Sequence, residues 1–225
     1  MRSVFRPILA GATLPDRLVA CLGAMLGIGL VALLCAGRLP LPPGTPEMVA
    51  PIGASAVLVF AVPASPLAQP WSVLGGNMIG ALVGVAFAQA LGASPLSAGL
   101  AVGAAILVMS LLRCLHPPGG AAALVAVIGG PAVAQAGWLF PFVPVAVNSA
   151  LLVGAAWAFH RVSGHSYPHR ALPPARPAFL PQDLDRALEA EHEVFDIARE
   201  DLERLLARAE AEAAARTSRR VSGKR

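Results

Sequence analysis

Between Arg17 and Arg161 the chain carries only three formally charged side chains, Arg38, Glu47 and Arg113. A soluble domain of that length would need charged residues on each exposed face, so this stretch cannot be one. It can be a set of membrane crossings: at about 20 residues per helical span there is room for up to six. A chain in lipid has to satisfy its own amides and carbonyls, so the expected fold is an all-α polytopic transmembrane helix bundle. The whole composition agrees, with 56% hydrophobic and 13% charged residues among 225.

Charge returns after the last span. Residues 180–225 hold eleven Asp or Glu and nine Lys or Arg, a net of minus two, which leaves plus six for the rest of the chain. That surplus borders the apolar region, on Arg2, Arg6 and Arg17 before it and Arg161, Arg170 and Arg176 after it. There it orients the protein and meets lipid headgroups rather than nucleic acid. Both termini are therefore expected in the cytoplasm, with an even number of crossings. The N-terminus lacks an apolar run suited to a cleaved signal, and helical spans point to an inner or plasma-type membrane. Cys21, Cys35 and Cys114 are isolated in apolar segments. They form neither a disulfide framework nor a metal motif, and no cofactor is expected.

The organisation reads as a transmembrane domain over residues 1–165, a Pro-rich linker over 166–182, an amphipathic soluble helix over 183–216 and a basic disordered tail over 217–225. In the helix, Leu184, Leu188, Glu191, Phe195, Ala198, Leu202, Leu205 and Ala209 step by threes and fours, a coiled-coil-like seam. Long spans are expected at 18–37, 71–91, 97–112 and 138–160, the last kinked by Pro141 and Pro144. Gly76, Gly80 and Gly84 recur every four residues, and Gly23/Gly27 and Gly99/Gly103 share that spacing; such faces let helices approach closely.

Two short apolar segments interrupt these spans. Pro51-Ile-Gly-Ala-Ser-Ala-Val-Leu-Val aligns with Pro117-Pro-Gly-Gly-Ala-Ala-Ala-Leu-Val at an offset of 66 residues, each copy lying between long spans. The chain then reads as two repeats of long, short, long. If the short segments cross, six passes form an inverted repeat; if they re-enter, four passes form a parallel one. Placing Arg113 on the cytoplasmic side favours six.

Proline at Pro51, Pro117 and Pro118 breaks one helix and starts another. The amides of Gly53, Ala54 and Ser55 and those of Gly119 and Gly120 are expected at facing helix N-termini, a setting for a small anion. Arg113 either strengthens that field or snorkels from the end of its span. His116 is a candidate proton carrier or gate, or else holds the turn by bonding a freed carbonyl. Ser55 either serves a ligand or bonds its own helix, and Asn77 and Asn148 either line the site or join helices.

Leu115-His116-Pro117-Pro118-Gly119-Gly120-Ala121, with Pro51-Ile-Gly-Ala-Ser-Ala-Val57 and Pro63-Ala-Ser-Pro-Leu-Ala-Gln-Pro70, resembles the HPP family of integral membrane proteins over residues 15–165. The resemblance implies a transporter-like protein, since plant relatives are implicated in chloroplast nitrite transport. His116, Pro117 and Pro118 carry the family motif itself. Some members add CBS domains, for which this chain has only a helix.

The leading expectation is a transporter or channel for a small nitrite-like inorganic anion, with protons as a candidate co-substrate and the bilayer as its surroundings. The other is a non-transporting scaffold or sensor whose C-terminal helix recruits a partner. No His-Glu-x-x-His, paired Asp or Gly-x-Ser-x-Gly suggests an enzyme. The small-residue faces and the tail point to a homo-oligomer.

Overall fold

The computed structural model describes residues 13–170, 179–191 and 194–222, with side-chain surroundings up to residue 216. It falls into two units. Residues 67–168 with those up to 63 make one, and residues 64–66 with those from 169 onward make the other.

The first unit is helical throughout its ordered elements. Helix α1 (Leu14–Cys35) begins at Thr13, which forms a capping box with Asp16: the Thr13 amide donates to the Asp16 carboxylate at 2.8 Å and the Asp16 amide to the Thr13 hydroxyl at 3.4 Å. Its buried face steps by four through Gly23, Gly27, Val31 and Cys35, while Leu18, Leu22, Leu26 and Leu30 point outward. The Phe60 ring fills the groove left by the glycines, 2.7 Å from where a Cβ at Gly27 would lie. Helix α2 (Pro51–Ala61) is short, and α3 (Pro70–Leu91) and α4 (Pro95–Leu111) follow. After α4, the chain makes α5 (Pro117–Ile128) and α6 (Pro131–Ala136). A 3-10 turn (Gly137–Leu139) and a π-helical turn (Pro141–Ala146) then lead into α7 (Val147–Ser163).

By length and composition three helices can span a bilayer: Leu14–Cys35, Pro70–Leu91 and the kinked Pro141–Ser163. The pair Pro117–Ile128 and Pro131–Leu139 makes a fourth if it is one broken span, bent by 95°. Pro51–Ala61 and Pro95–Leu111 are apolar but shorter. The expected kink falls at Val143, whose φ of −130° and ψ of 109° interrupt the helix before Pro144.

Packing follows the glycines. Helix α3 lies against α5 along Gly76, Gly80 and Gly84, where an added Cβ would overlap His116, the Gly119 carbonyl and the Ala123 carbonyl in turn. Helix α4 covers both of them, and α1 covers α2 and α7. Gly99 and Gly103 behave differently from expectation, since a Cβ at either would meet nothing within 4 Å. Among the described residues they face no helix. Near the end of α7, the Arg161 guanidinium sits 4.3 Å from the Trp157 ring centre, an amphipathic pair suited to a membrane border.

The second unit corrects the expected single helix over 183–216. Two helices form, α8 (Pro181–Glu191) and α9 (Arg199–Ser222), so the seam of apolar residues does not run on one continuous helix. Phe195 and Ala198 keep a helical spacing that the pattern reads straight through. Arg199 is what the pattern cannot register: its guanidinium reaches Asp185, the Pro181 carbonyl at 3.1 Å and Glu203 at 3.0 Å, which requires the chain to turn back. His169 Nε2 lies 2.7 Å from Asp201, and the Ser65 hydroxyl donates to Asp196 at 2.8 Å. Helix α9 also passes the boundary expected at 216, its backbone remaining helical to Ser222. Linker residues 171–178 and the last three residues of the basic tail lie outside the described residues.

Candidate functional site

The break between α4 and α5 is built by backbone rules. Helix α4 closes with Arg113 in the left-handed region at φ 55°, and the Cys114 amide reaches back to the Met109 carbonyl at 2.9 Å. Trp71 Nε1 donates to the Leu112 carbonyl at 3.1 Å, satisfying another group at this end. His116 precedes a proline and is therefore extended, with φ −144° and ψ 111°. The extended residue turns its ring into the protein, where it has no exposed surface.

There His116 joins a network drawn from four elements. Its Nδ1 lies 2.8 Å from the Leu67 carbonyl, which can only accept, so Nδ1 carries the proton and Nε2 is the acceptor. The Ser55 hydroxyl on α2, 2.8 Å from Nε2, donates to it. Asn77 on α3 donates through Nδ2 to Ser55 at 3.0 Å and to Ser149 on α7 at 3.2 Å. Ser149 donates in turn to the Val145 carbonyl at 2.9 Å. Ser55, Asn77, His116 and Ser149 are all fully buried. One atom is left over: Asn77 Oδ1 has no hydrogen-bond partner. Flipping the amide would not help, because its two N–H groups would take the place of that one unpaired oxygen.

Asn148, the other expected asparagine, holds a different segment. Its Oδ1 accepts from the Val49 amide at 2.9 Å, and its Nδ2 donates to the Glu47 carbonyl at 2.9 Å and the Cys35 sulfur at 3.2 Å. It clamps the strand of chain that enters α2, and every group it owns is used. Of the other expected site residues, Gly53 and Ala54 are exposed, Gly119 is buried and Gly120 half-buried. The Gly53 amide bonds the Ala50 carbonyl at 3.0 Å and the Gly119 amide bonds the His116 carbonyl at 2.8 Å. Neither is the free donor the sequence suggested, because each tightens its own first turn. Arg113 is exposed at the end of α4 and takes no part in the network.

Sequence reasoning passed over two further buried groups. His160 Nε2 donates to the Val59 carbonyl at 2.9 Å, near the end of α2, and Tyr167 donates to the Ala68 carbonyl at 3.0 Å. Burial pushes the Tyr167 phenol well above its ordinary pKa. For His160 the signal lay in the steps of four from Asn148 through Leu152 and Ala156, which put it on the buried face of α7. Among the described residues no three His, Cys, Asp or Glu side chains converge as a metal site would require.

Apolar helices long enough to cross a bilayer, packed around a buried uncharged polar network, define a polytopic membrane protein. Residues 10–168 match the family model described as HPP, transmembrane region, and the chain belongs to that family. Two transmembrane proteins of Dictyostelium discoideum are each 36% identical to it, over 128 and 136 residues. Those matches cover 54% and 59% of this chain but only 44% and 43% of the relatives, so the chain spans less than half of their length. No solved structure matches.

Proposed function

We propose that this protein carries a small inorganic anion across the membrane together with a proton, with His116 as the proton group. The observation that carries the reading is the position of the Ser55 hydroxyl, 2.8 Å from His116 Nε2 and 3.2 Å from the Pro51 carbonyl. When Nε2 takes a proton, the hydroxyl rotates to Pro51 and its oxygen accepts from Nε2–H and from Asn77 Nδ2 together. Each hydrogen in the network keeps an acceptor, and no heavy atom moves.

The resulting imidazolium needs a counter-charge, since an unpaired buried charge is costly. Helices α2, α3, α4 and α5 and the 66–68 turn bring no charged side chain. The one carboxylate between Arg17 and Arg161 is Glu47, which accepts from the Gly37 amide at 2.7 Å. Cys114, the other titratable group close by in the chain, is neutral as a thiol. With no negative side chain on the helices around His116, this reading assigns the counter-charge to a mobile anion, and family membership makes a transport role a natural one. The attraction comes from His116 rather than from free helix amides, and a nitrite-like oxyanion is the solute class this reading assigns.

The inverted six-pass arrangement suits this reading. The first helix of each copy packs on its own short helix and on the long helix of the other copy: α1 on α2 and α7, α4 on α5 and α3. The short helices meet each other, as do the long ones, as a two-fold relation between copies would require. We place the protein in an inner or plasma-type membrane with both termini cytoplasmic.

The test is flux into liposomes holding the purified protein, at two pH values, with His116→Ala and Ser55→Ala. Saturable nitrite uptake with co-transported protons is expected, reduced by ~100-fold or more in His116→Ala, the lower end of what one positioned proton-transfer group contributes. Absence of flux from folded protein would leave the scaffold reading instead.

A further inference from the structure

We infer that the solute meets this network as the undissociated weak oxyacid, its O–H bonded to Asn77 Oδ1. The inference rests on the transport reading above and narrows its substrate class. Three observations converge on it. Asn77 has no exposed surface, and its Oδ1 is the one buried side-chain nitrogen or oxygen without a partner among the described residues. A group in that position costs free energy unless something donates to it in the working protein.

The second observation is the state of the neighbours. With His116 neutral, Ser55 and Ser149 each place their proton on an acceptor, and both Nδ2 hydrogens are taken. The network therefore offers an arriving molecule one vacant acceptor and no vacant donor. A bare anion has only acceptor atoms to present and would face Asn77 Oδ1 lone pair to lone pair. An acid has the missing hydrogen.

The third is Asn148, the asparagine in the corresponding long helix of the second copy, whose oxygen and nitrogen are all engaged. An unpaired amide oxygen is thus not a general property of asparagine in this fold. The acid and the imidazolium–anion pair have the same composition, so proton and anion are carried in equal number either way. What Asn77 decides is which solutes can load: anions of weak acids, which can take up a proton, and not anions of strong acids.

The experiment compares uptake of formate, nitrite, nitrate and chloride into liposomes containing the full chain, with leak through protein-free liposomes subtracted. Formate and nitrate are similar planar ions that differ in how readily they hold a proton. Formate and nitrite are expected to exceed nitrate and chloride by ~10-fold or more, about the discrimination one satisfied hydrogen bond supplies. Asn77→Leu is expected to lose that formate flux while melting at or above the wild-type temperature, because the unpaired oxygen is gone. Equal flux of nitrate and formate would overturn the inference and leave anion transport standing. Asn77→Leu with a lowered melting temperature and an unchanged formate-to-nitrate ratio would also overturn it, marking a site held by structural water. Flux of none of the four from folded protein would remove the transport reading and this inference with it. The wild-type selectivity needs no variant, so it decides the matter even if Asn77→Leu fails to fold.

Discussion

The two short helices begin alike in sequence and are held in opposite ways. The chain entering α2 is clamped by Asn148, which binds the Val49 amide, the Glu47 carbonyl and the Cys35 sulfur. The chain entering α5 is held by close contact instead, with His116, Gly119 and Ala123 seated against Gly76, Gly80 and Gly84 of α3. Asparagine in the first setting exhausts its hydrogen-bonding capacity on the backbone. In the second, Asn77 is released from that duty by the glycine face and keeps one acceptor unpaired. One break is structural and the other is equipped for chemistry, although their prolines and small residues match.

The sharpest way to break this comparison is to add one methyl group to each long helix. In Gly80→Ala the new Cβ overlaps the Gly119 carbonyl, which is backbone and cannot rotate away, so α3 and α5 must separate. The expected loss is ~3 kcal/mol or more, the upper range for overpacking, seen as a large drop in melting temperature or failure to fold in detergent. Gly154→Ala on α7 places its methyl where nothing lies within 4 Å. It should be neutral or gain ~0.5–1 kcal/mol from helix propensity. Wild-type melting of Gly80→Ala would mean that the α3–α5 contact is not what seats the second break.

A second effect, of similar size, separates the two asparagines. Asn148→Leu leaves the Val49 amide and the Glu47 carbonyl without their side-chain partner, at ~1–3 kcal/mol for each orphaned group. Asn77→Leu removes two bonds whose acceptors are hydroxyls that still donate elsewhere, and it removes the unpaired oxygen as well. Thermal melting should show a clear loss for Asn148→Leu and none for Asn77→Leu. Equal losses would erase the distinction between a clamp and a site.

How much of this was legible depended on range. The charge-poor stretch, the long spans at 14–35 and 70–91, and the breaks at Pro51 and Pro117 follow from local rules about lipid, helix length and proline. That Ser55 meets His116, 61 residues away, was not readable, because it depends on which helix each short segment packs against. The amides of Gly53 and Gly119 looked free because capping rules count four open donors at a helix start. They are occupied because each first turn tightens onto the residue three before it. In Arg113 the sequence showed a charge in an apolar region, and the structure shows a helix terminator that faces outward. The seam over 183–216 misled for the same reason of range: spacing carries the period of a helix, and only the reach of Arg199 to Asp185 reveals the turn.

The smallest effect belongs to that exposed pair, which is the converse of the buried asparagines: charged, wet and dispensable. A hydrogen bond from Arg199, joined by its charge, holds the Asp185 carboxyl below its ordinary pKa of 3.8. A carboxyl depressed on folding adds stability that is present above its unfolded value and disappears as pH falls through the lower, folded one. The fold-back of α9 onto α8 should therefore loosen only in strongly acidic solution, below about pH 4. Amide hydrogen exchange of the α8 segment, compared between wild type and Asp185→Asn at each pH, checks this. Near neutral pH the variant should exchange slightly faster, and the two should converge as the wild-type carboxyl becomes protonated. A difference that persists unchanged into acid would show that Arg199 is held by the Pro181 carbonyl and Glu203, and that its ion pair with Asp185 contributes nothing to the turn.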